Sequence, residues 1–222
     1  MPEIMITGPA GRLEGRYKHS KTSGAPIALI LHPNPQRGGT MNNKISYTLF
    51  QTFAEQGFAT LRFNFRGVGR SQGAFSYGEG ELSDAAAALD WLQSVNPTSS
   101  AVWVAGFSFG AWIGMQLLMR RPEIHGYVSI SPPANIYDFN FLAPCPNEGM
   151  IVQGDQDQVV NIESVNKLVE KLREQRGPAG VDYRIVPGAG HFFNNDGETE
   201  TLARHVADYL AGARQSAQKA AA

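Results

Sequence analysis

Short apolar runs alternate with helical-period stretches along most of this chain, and that alternation leaves few ways to fold it. Ile27-Ala28-Leu29-Ile30-Leu31 is a continuous apolar block, too short for a helix and suited to a strand buried on both faces. From Met41 to Gly57 the apolar residues Ile45, Leu49, Phe50 and Phe53 recur at helical spacing, and Gly57 closes the stretch. Phe58–Phe65 reads as the next strand, and then the unit repeats. Leu82, Ala85, Ala86, Leu89 and Leu92 mark a helix to about Val95, followed by a strand at Ala101–Gly106 and a helix at Phe109–Arg120 that Pro122 stops. Strands at Ile124–Ile130 and Gly149–Val152, a helix at Val160–Glu174, a strand at Val181–Val186 and a helix at Leu202–Leu210 complete the pattern. Apolar strands separated by helices build a parallel sheet covered on both sides. Ahead of them, Glu3–Thr7 and Leu13–His19 flank the turn signal Gly8-Pro9-Ala10-Gly11, so an antiparallel hairpin opens the sheet. The expected class is α/β: about eight strands, mostly parallel and twisted, with helices on both faces.

No internal repeat or linker divides the 222 residues, so residues 1–213 read as one domain, and the polar, Ala-rich stretch 214–222 as a flexible tail. Nineteen Lys and Arg against twenty Asp and Glu give a net charge of −1, without the basic footprint of a nucleic-acid partner. No apolar run approaches the ~18 residues of a membrane span, and the first twenty residues lack a signal-peptide block. A cytoplasmic protein with no membrane partner is expected. Cys145 has no second cysteine to pair with, and Pro144 and Pro146 flank it with no helix start behind it to lower its pKa. It reads as a small apolar filler. No His/Cys/Asp/Glu cluster has metal-ligand spacing, and Gly67-Val68-Gly69 does not complete a dinucleotide fingerprint, so neither metal nor cofactor is expected.

In open α/β sheets, sites lie beyond the carboxyl ends of the strands. After Ala101–Ala105 comes Gly106-Phe107-Ser108-Phe109-Gly110, running directly into a helix. This is the G-x-S-x-G pattern of a nucleophile elbow, a turn so tight that glycines must flank the serine at two residues' distance. Ile151-Val152-Gln153-Gly154-Asp155-Gln156-Asp157 places two acids after the next-to-last strand, and Pro187-Gly188-Ala189-Gly190-His191 places a histidine after the last. A serine, an acid and a histidine in that chain order, each at a strand end, make a nucleophile, an orienting carboxylate and a general base.

On these motifs the chain resembles an α/β-hydrolase. It is similar, more narrowly, to the small bacterial members without a lid that resemble dienelactone hydrolases and the catalytic domain of prolyl oligopeptidases. Phe63-Asn64-Phe65-Arg66-Gly67-Val68-Gly69-Arg70-Ser71 adds to the likeness, with Asn64 where many relatives carry Asp. The resemblance implies Ser108 as nucleophile, His191 as base and Asp157, the second acid of its loop, as the orienting carboxylate. Asp155 and, more distantly, Asp138 stay as rival acids. It also implies an oxyanion hole from the N–H of Phe109 and from the loop Leu31-His32-Pro33-Asn34-Pro35-Gln36, in which Pro33 and Pro35 have no N–H and Asn34 is the donor between them.

Phe107, Phe139 and Phe193 are the candidate substrate-binding residues, with Phe109, Trp112, Phe141 and Leu142 as further walls of an acyl pocket. His32 reads as a residue that orients its loop, and His19, His125 and His205 as structural. Arg66 and Arg70 are open to either a structural role or an anionic substrate. Only eighteen residues, Ser131–Glu148, separate two strands between which many relatives insert a cap, so no cap domain is expected. The implied activity is hydrolysis of a small-molecule acyl substrate, a short carboxylic ester first, through an acyl-enzyme. Thioesterase or amidase and peptidase chemistry uses the same residues, and a non-catalytic binding protein of the same fold is the alternative from another class. A serine at the elbow sets the chain apart from dehalogenase-type relatives with Asp there and from true dienelactone hydrolase with Cys.

Overall fold

The computed structural model describes residues 3–142, 145, 147–177 and 180–220. Strands β1 (Glu3–Gly8) and β2 (Gly11–Lys18) form the opening hairpin, with Gly8 paired to Gly11 across the turn. Then follow β3 (Ile27–Leu31), α1 (Lys44–Glu55), β4 (Ala59–Phe63), α2 (Glu79–Ser94), β5 (Val102–Phe107), α3 (Phe109–Arg120), β6 (Ile124–Ile130), β7 (Gly149–Gly154), α4 (Ile162–Arg176), β8 (Val181–Val186) and α5 (Asp196–Ala220). One eight-stranded sheet runs in the order β1-β2-β4-β3-β5-β6-β7-β8. β2 is antiparallel to both its neighbours, and every other pairing is parallel.

The period-2 geometry of the strands splits their side chains between two cores. Ile27, Leu29, Leu31, Val102, Val104 and Ile151 point to one face, where α2, α3 and α4 bring Leu89, Ile113 and Leu172. Ala28, Ile30, Trp103, Ala105, Met150 and Val152 point to the other, covered by α1 and α5 through Leu49, Phe53, Leu202 and Val206. Both faces are covered, which is why the two innermost strands, β3 and β5, are apolar at every position. Cys145 is buried in the first core; Pro144 and Pro146 lie outside the described residues.

Two helices extend beyond their apolar periodicity. α2 begins at Glu79 because the wholly buried Glu81 carboxylate accepts from the N–H groups of Gly78 (2.7 Å) and Ser76 (2.9 Å), capping the first turn. α5 starts in the polar turn at Asp196 and continues to Ala220, through most of the stretch read as a tail; Ala, Arg, Gln and Lys there are strong helix formers. Residues 221–222 lie outside the described chain. Between β6 and β7 the described residues form a loop that includes the short 3-10 turn Asn140–Leu142, with no cap domain among them.

From β3 the chain moves outward to β4, then crosses back to place β5 on the other side of β3. That reversal opens a crevice between the loops that follow β3 and β5. Ser108 follows β5 directly.

Candidate active site

Ser108 has φ 53° and ψ −117°, a left-handed backbone that a non-glycine residue holds only when its surroundings impose it. The glycines on either side supply the imposition. A Cβ on Gly106 would stand 2.6 Å from the Ala111 nitrogen, and one on Gly110 would stand 2.6 Å from the His32 carbonyl oxygen. Strand, elbow and helix therefore pack backbone to backbone, against the loop that follows β3. The Ser108 N–H is fixed to the Ile130 carbonyl at 2.9 Å, and its own carbonyl accepts from Ala111 and Trp112.

The structure brings Ser108, His191 and Asp157 together. His191 Nδ1 lies 2.8 Å from Asp157 Oδ2, and His191 Nε2 lies 3.2 Å from Ser108 Oγ. A carboxylate only accepts, so the proton sits on Nδ1 and the Nε2 lone pair faces the serine hydroxyl. Asp157 is itself held. Its Oδ1 accepts from the N–H groups of Val159 and Val160, both at 2.8 Å, and its Oδ2 accepts from Gln153 Nε2 at 3.0 Å. Burial would raise the Asp157 pKa, but the hydrogen bond from His191, the Val160 and Val159 N–H groups and the His191 charge hold the carboxyl below its ordinary range. The rival acids are otherwise engaged: Asp155 Oδ1 accepts from Gly188 N–H at 2.7 Å, and Asp138 Oδ1 from Asn140 N–H at 2.8 Å.

Asn34 caps the short turn Pro35–Arg37, its Oδ1 accepting from Gln36 N–H at 2.8 Å. Among the described residues, the N–H groups of Asn34 and Phe109 donate to no partner in the chain. Phe109 opens α3, whose Gly110 packs on the Leu31 and His32 carbonyls, and Asn34 follows two residues after His32 in the same loop.

His32 is wholly buried behind this loop. Its Nε2 accepts from Phe65 N–H at 3.0 Å, which leaves the proton on Nδ1, donated to the Pro33 carbonyl at 2.7 Å. Burial drives its pKa down to about 4, against the pull of the Pro33 carbonyl. A neutral His32 thus ties the loop after β3 to the segment after β4.

The aromatic candidates take different places. Phe107 and Phe193 are fully buried, Phe107 with its ring 5.0 Å from His191, and Phe139 is nearly so. All three belong to the hydrophobic cores, and the exposed ring against His191 is Phe192, 5.0 Å away and edge-on. Trp112, one turn along α3 from Ser108, stacks on Tyr137 at 4.2 Å and 13°, and Asn34 Nδ2 donates to the Tyr137 hydroxyl at 3.3 Å. Arg66 is locked to the buried Asp84 by two side-chain hydrogen bonds, and the exposed Arg70 is paired with Glu3. The same loop explains Asn64: its Nδ2 donates to the buried Glu14 carboxylate at 2.9 Å, where an Asp would set two carboxylates against each other.

Gln153 and Tyr137 went unmarked in the sequence. A glutamine ending the apolar strand Gly149–Gly154 was the signal for the first; no local pattern marks Tyr137, whose partner Asn34 is 103 residues away.

Elsewhere, a cavity of about 960 Å³ opens at the amino ends of the strands beside Trp103 and Tyr209, apart from Ser108. Among the described residues, no group of three or more His, Cys, Asp or Glu side chains is placed to hold a metal ion, and no helix is long and apolar enough to cross a membrane.

Residues 12–143 match the S15 family of X-Pro dipeptidyl-peptidases, and residues 125–216 match the prolyl oligopeptidase family. A protein of unknown function from Agrobacterium tumefaciens is 60% identical, with a TM-score of 0.93 over 97% of both chains. An alpha-beta serine hydrolase homologue from Coxiella burnetii is 35% identical, with a TM-score of 0.83 over 94% of this chain and 97% of that one. A serine hydrolase without a lid from Xanthomonas campestris is 30% identical, with a TM-score of 0.81 over 91% of this chain and 89% of that one.

Proposed function

The chain belongs to the α/β-hydrolase superfamily, and from that premise we propose that it is a serine hydrolase that cleaves short carboxylic esters through an acyl-enzyme. The observation that carries the reading is the relay from Ser108 Oγ through His191 to Asp157, with the Nε2 lone pair facing the hydroxyl. Ser108 Oγ attacks the acyl carbon while His191 Nε2 takes its proton. The imidazolium that forms is stabilised by Asp157, whose carboxyl stays ionised. The N–H groups of Asn34 and Phe109 receive the negative oxygen, and the start of α3 directs its positive end toward it. His191 then protonates the leaving oxygen, and the alcohol departs. In the second half His191 deprotonates water, the hydroxide attacks the acyl carbon, and Ser108 Oγ leaves with the proton from His191.

Within the superfamily, the lid-less architecture supports a likeness to dienelactone-hydrolase-like and prolyl-oligopeptidase-like members, and the elbow serine supports the second of these. Because both matched families are peptidases, amide and peptide bonds form the second reading. A burst assay tests the function. With p-nitrophenyl acetate, wild type is expected to release nitrophenol in a burst stoichiometric with enzyme, and Ser108→Ala to show neither burst nor turnover. Equal turnover in the two would remove Ser108 from the mechanism. Parallel assays on aminoacyl p-nitroanilides separate the two readings, the ester reading requiring the higher kcat/KM for the ester.

A further inference from the structure

We propose that Arg37 is a specificity residue that holds an anionic oxygen group, a carboxylate or a phosphate, on the substrate whose acyl carbon Ser108 attacks; this rests on the serine-hydrolase reading above. Arg37 closes the single 3-10 turn that Asn34 opens, its N–H donating to the Asn34 carbonyl at 3.0 Å. Asn34 stands just outside the turn's helical dihedrals, at ψ 119°, and its side chain marks the side of the turn that meets the site. That side is the aromatic wall: Asn34 reaches Tyr137, Tyr137 stacks on Trp112, and the Trp112 N–H is bonded to the Ser108 carbonyl at 3.2 Å. The Arg37 charge acts on the Tyr137 hydroxyl. Burial raises the Tyr137 pKa, while the Asn34 hydrogen bond and the Arg37 cation oppose the rise.

The turn is built to keep its place. Pro35 fixes one end, Gly38 adopts a left-handed backbone at φ 77°, and a Cβ on Gly39 would stand 2.7 Å from the Asn34 carbonyl oxygen. The other cations from the strand-end loops and helix starts are already engaged. Arg66 is held by Asp84, Arg70 by Glu3, and Lys44 by Asp196 at 3.1 Å and the carbonyls of Phe193 and Asn194. Among the described residues, the exposed Arg37 guanidinium has no acidic partner and no hydrogen bond. A guanidinium fork held on a rigid turn beside an oxyanion loop suits bidentate capture of a carboxylate or a phosphate.

Two matched sets test the proposal. On the leaving-group side they are 4-acetoxybenzoate, its neutral methyl ester and 4-acetoxyphenyl phosphate; on the acyl side, mono-p-nitrophenyl adipate and p-nitrophenyl hexanoate. In at least one set wild type is expected to favour the anionic member over its neutral counterpart in kcat/KM. Arg37→Gln should lower that ratio about tenfold, Arg37→Lys should lower it less, and added salt should shrink it in wild type. The set that responds shows which side carries the anion, and the leaving-group set separates carboxylate from phosphate. A ratio unchanged by Arg37→Gln in every set overturns the proposal.

Binding gives an independent readout. Trp fluorescence of Ser108→Ala titrated with the same compounds should show the anion binding about tenfold more weakly once Arg37→Gln is added. If no compound is hydrolysed but this dependence appears, the anion site stands and the hydrolase reading fails. If hydrolysis is present but neither the ratio nor the titration responds to Arg37→Gln, the reverse holds.

Discussion

Ser108 pays for its position in backbone strain, of order 1–3 kcal/mol for a left-handed non-glycine residue, so the surrounding packing must over-determine it. The gain is a hydroxyl held 3.2 Å from an imidazole whose other nitrogen is committed to Asp157. Asp157 and Asp155 stand two residues apart in one loop, yet only one touches His191, and their substitutions should part company. Asp157→Asn would offer an amide where Nδ1 needs an acceptor, and kcat is expected to fall about a thousandfold or more. Asp155→Asn keeps an amide oxygen that can accept from Gly188 N–H and touches no member of the relay, and a fall of less than tenfold is expected; steady-state ester hydrolysis measures both. Ser108, His191 and the acid loop were legible because each closes a strand, and the strand ends are where this class of sheet does chemistry. The facing of single aromatic rings was not. Phe192 and Phe193 are neighbours of the same type, and only the backbone of the turn, with Phe193 at φ 48°, decides that one is exposed and the other buried.

At the scale of elements, the site depends on how closely α3 and the loop after β3 approach the elbow. Gly110→Ala drives a methyl group into the Leu31 and His32 carbonyls. Thermal or urea unfolding should register a loss of about 1–3 kcal/mol, with ester hydrolysis falling at least a hundredfold as the elbow shifts. The loop after β3 is also tied by His32, whose neutral form the fold requires. The unfolded chain takes up a proton on this residue near pH 6.5 and the native protein only near pH 4. Stability from this residue is therefore full above pH 6.5 and is lost as pH falls toward 4. Between pH 7 and 5 the loss is about 2 kcal/mol at ~1.4 kcal/mol per pKa unit. Urea titrations at the two pH values should show that loss in wild type and a shallower one in His32→Gln; equal slopes would contradict the assignment. The sequence pattern located the central strands well, because residues buried on both faces leave an uninterrupted apolar block. The starts of α2 and α5 escaped it, since Glu79–Glu81 and Asp196–Glu198 form first turns held by capping and charge, which leave no mark in an apolar period.

For the whole molecule, the reversal of strand order between β3 and β5 opens the crevice, and the loop between β6 and β7 adds no cap over it. A site with no lid has no closed state for an interface to open. Across p-nitrophenyl esters, kcat/KM is expected to be highest for acetate to hexanoate and to fall for dodecanoate and longer. Rate should rise smoothly through the critical micelle concentration, and a jump there would point to a moving cover that this fold does not have. The central claim is that Ser108 is a nucleophile activated by the assembled relay. Intact-mass measurement after exposure to a fluorophosphonate tests it most directly. One adduct per chain on wild type at neutral pH, absent from Ser108→Ala and formed far more slowly on His191→Ala, is the predicted result. A folded wild-type protein that takes no adduct, or an adduct that persists in Ser108→Ala, would contradict it.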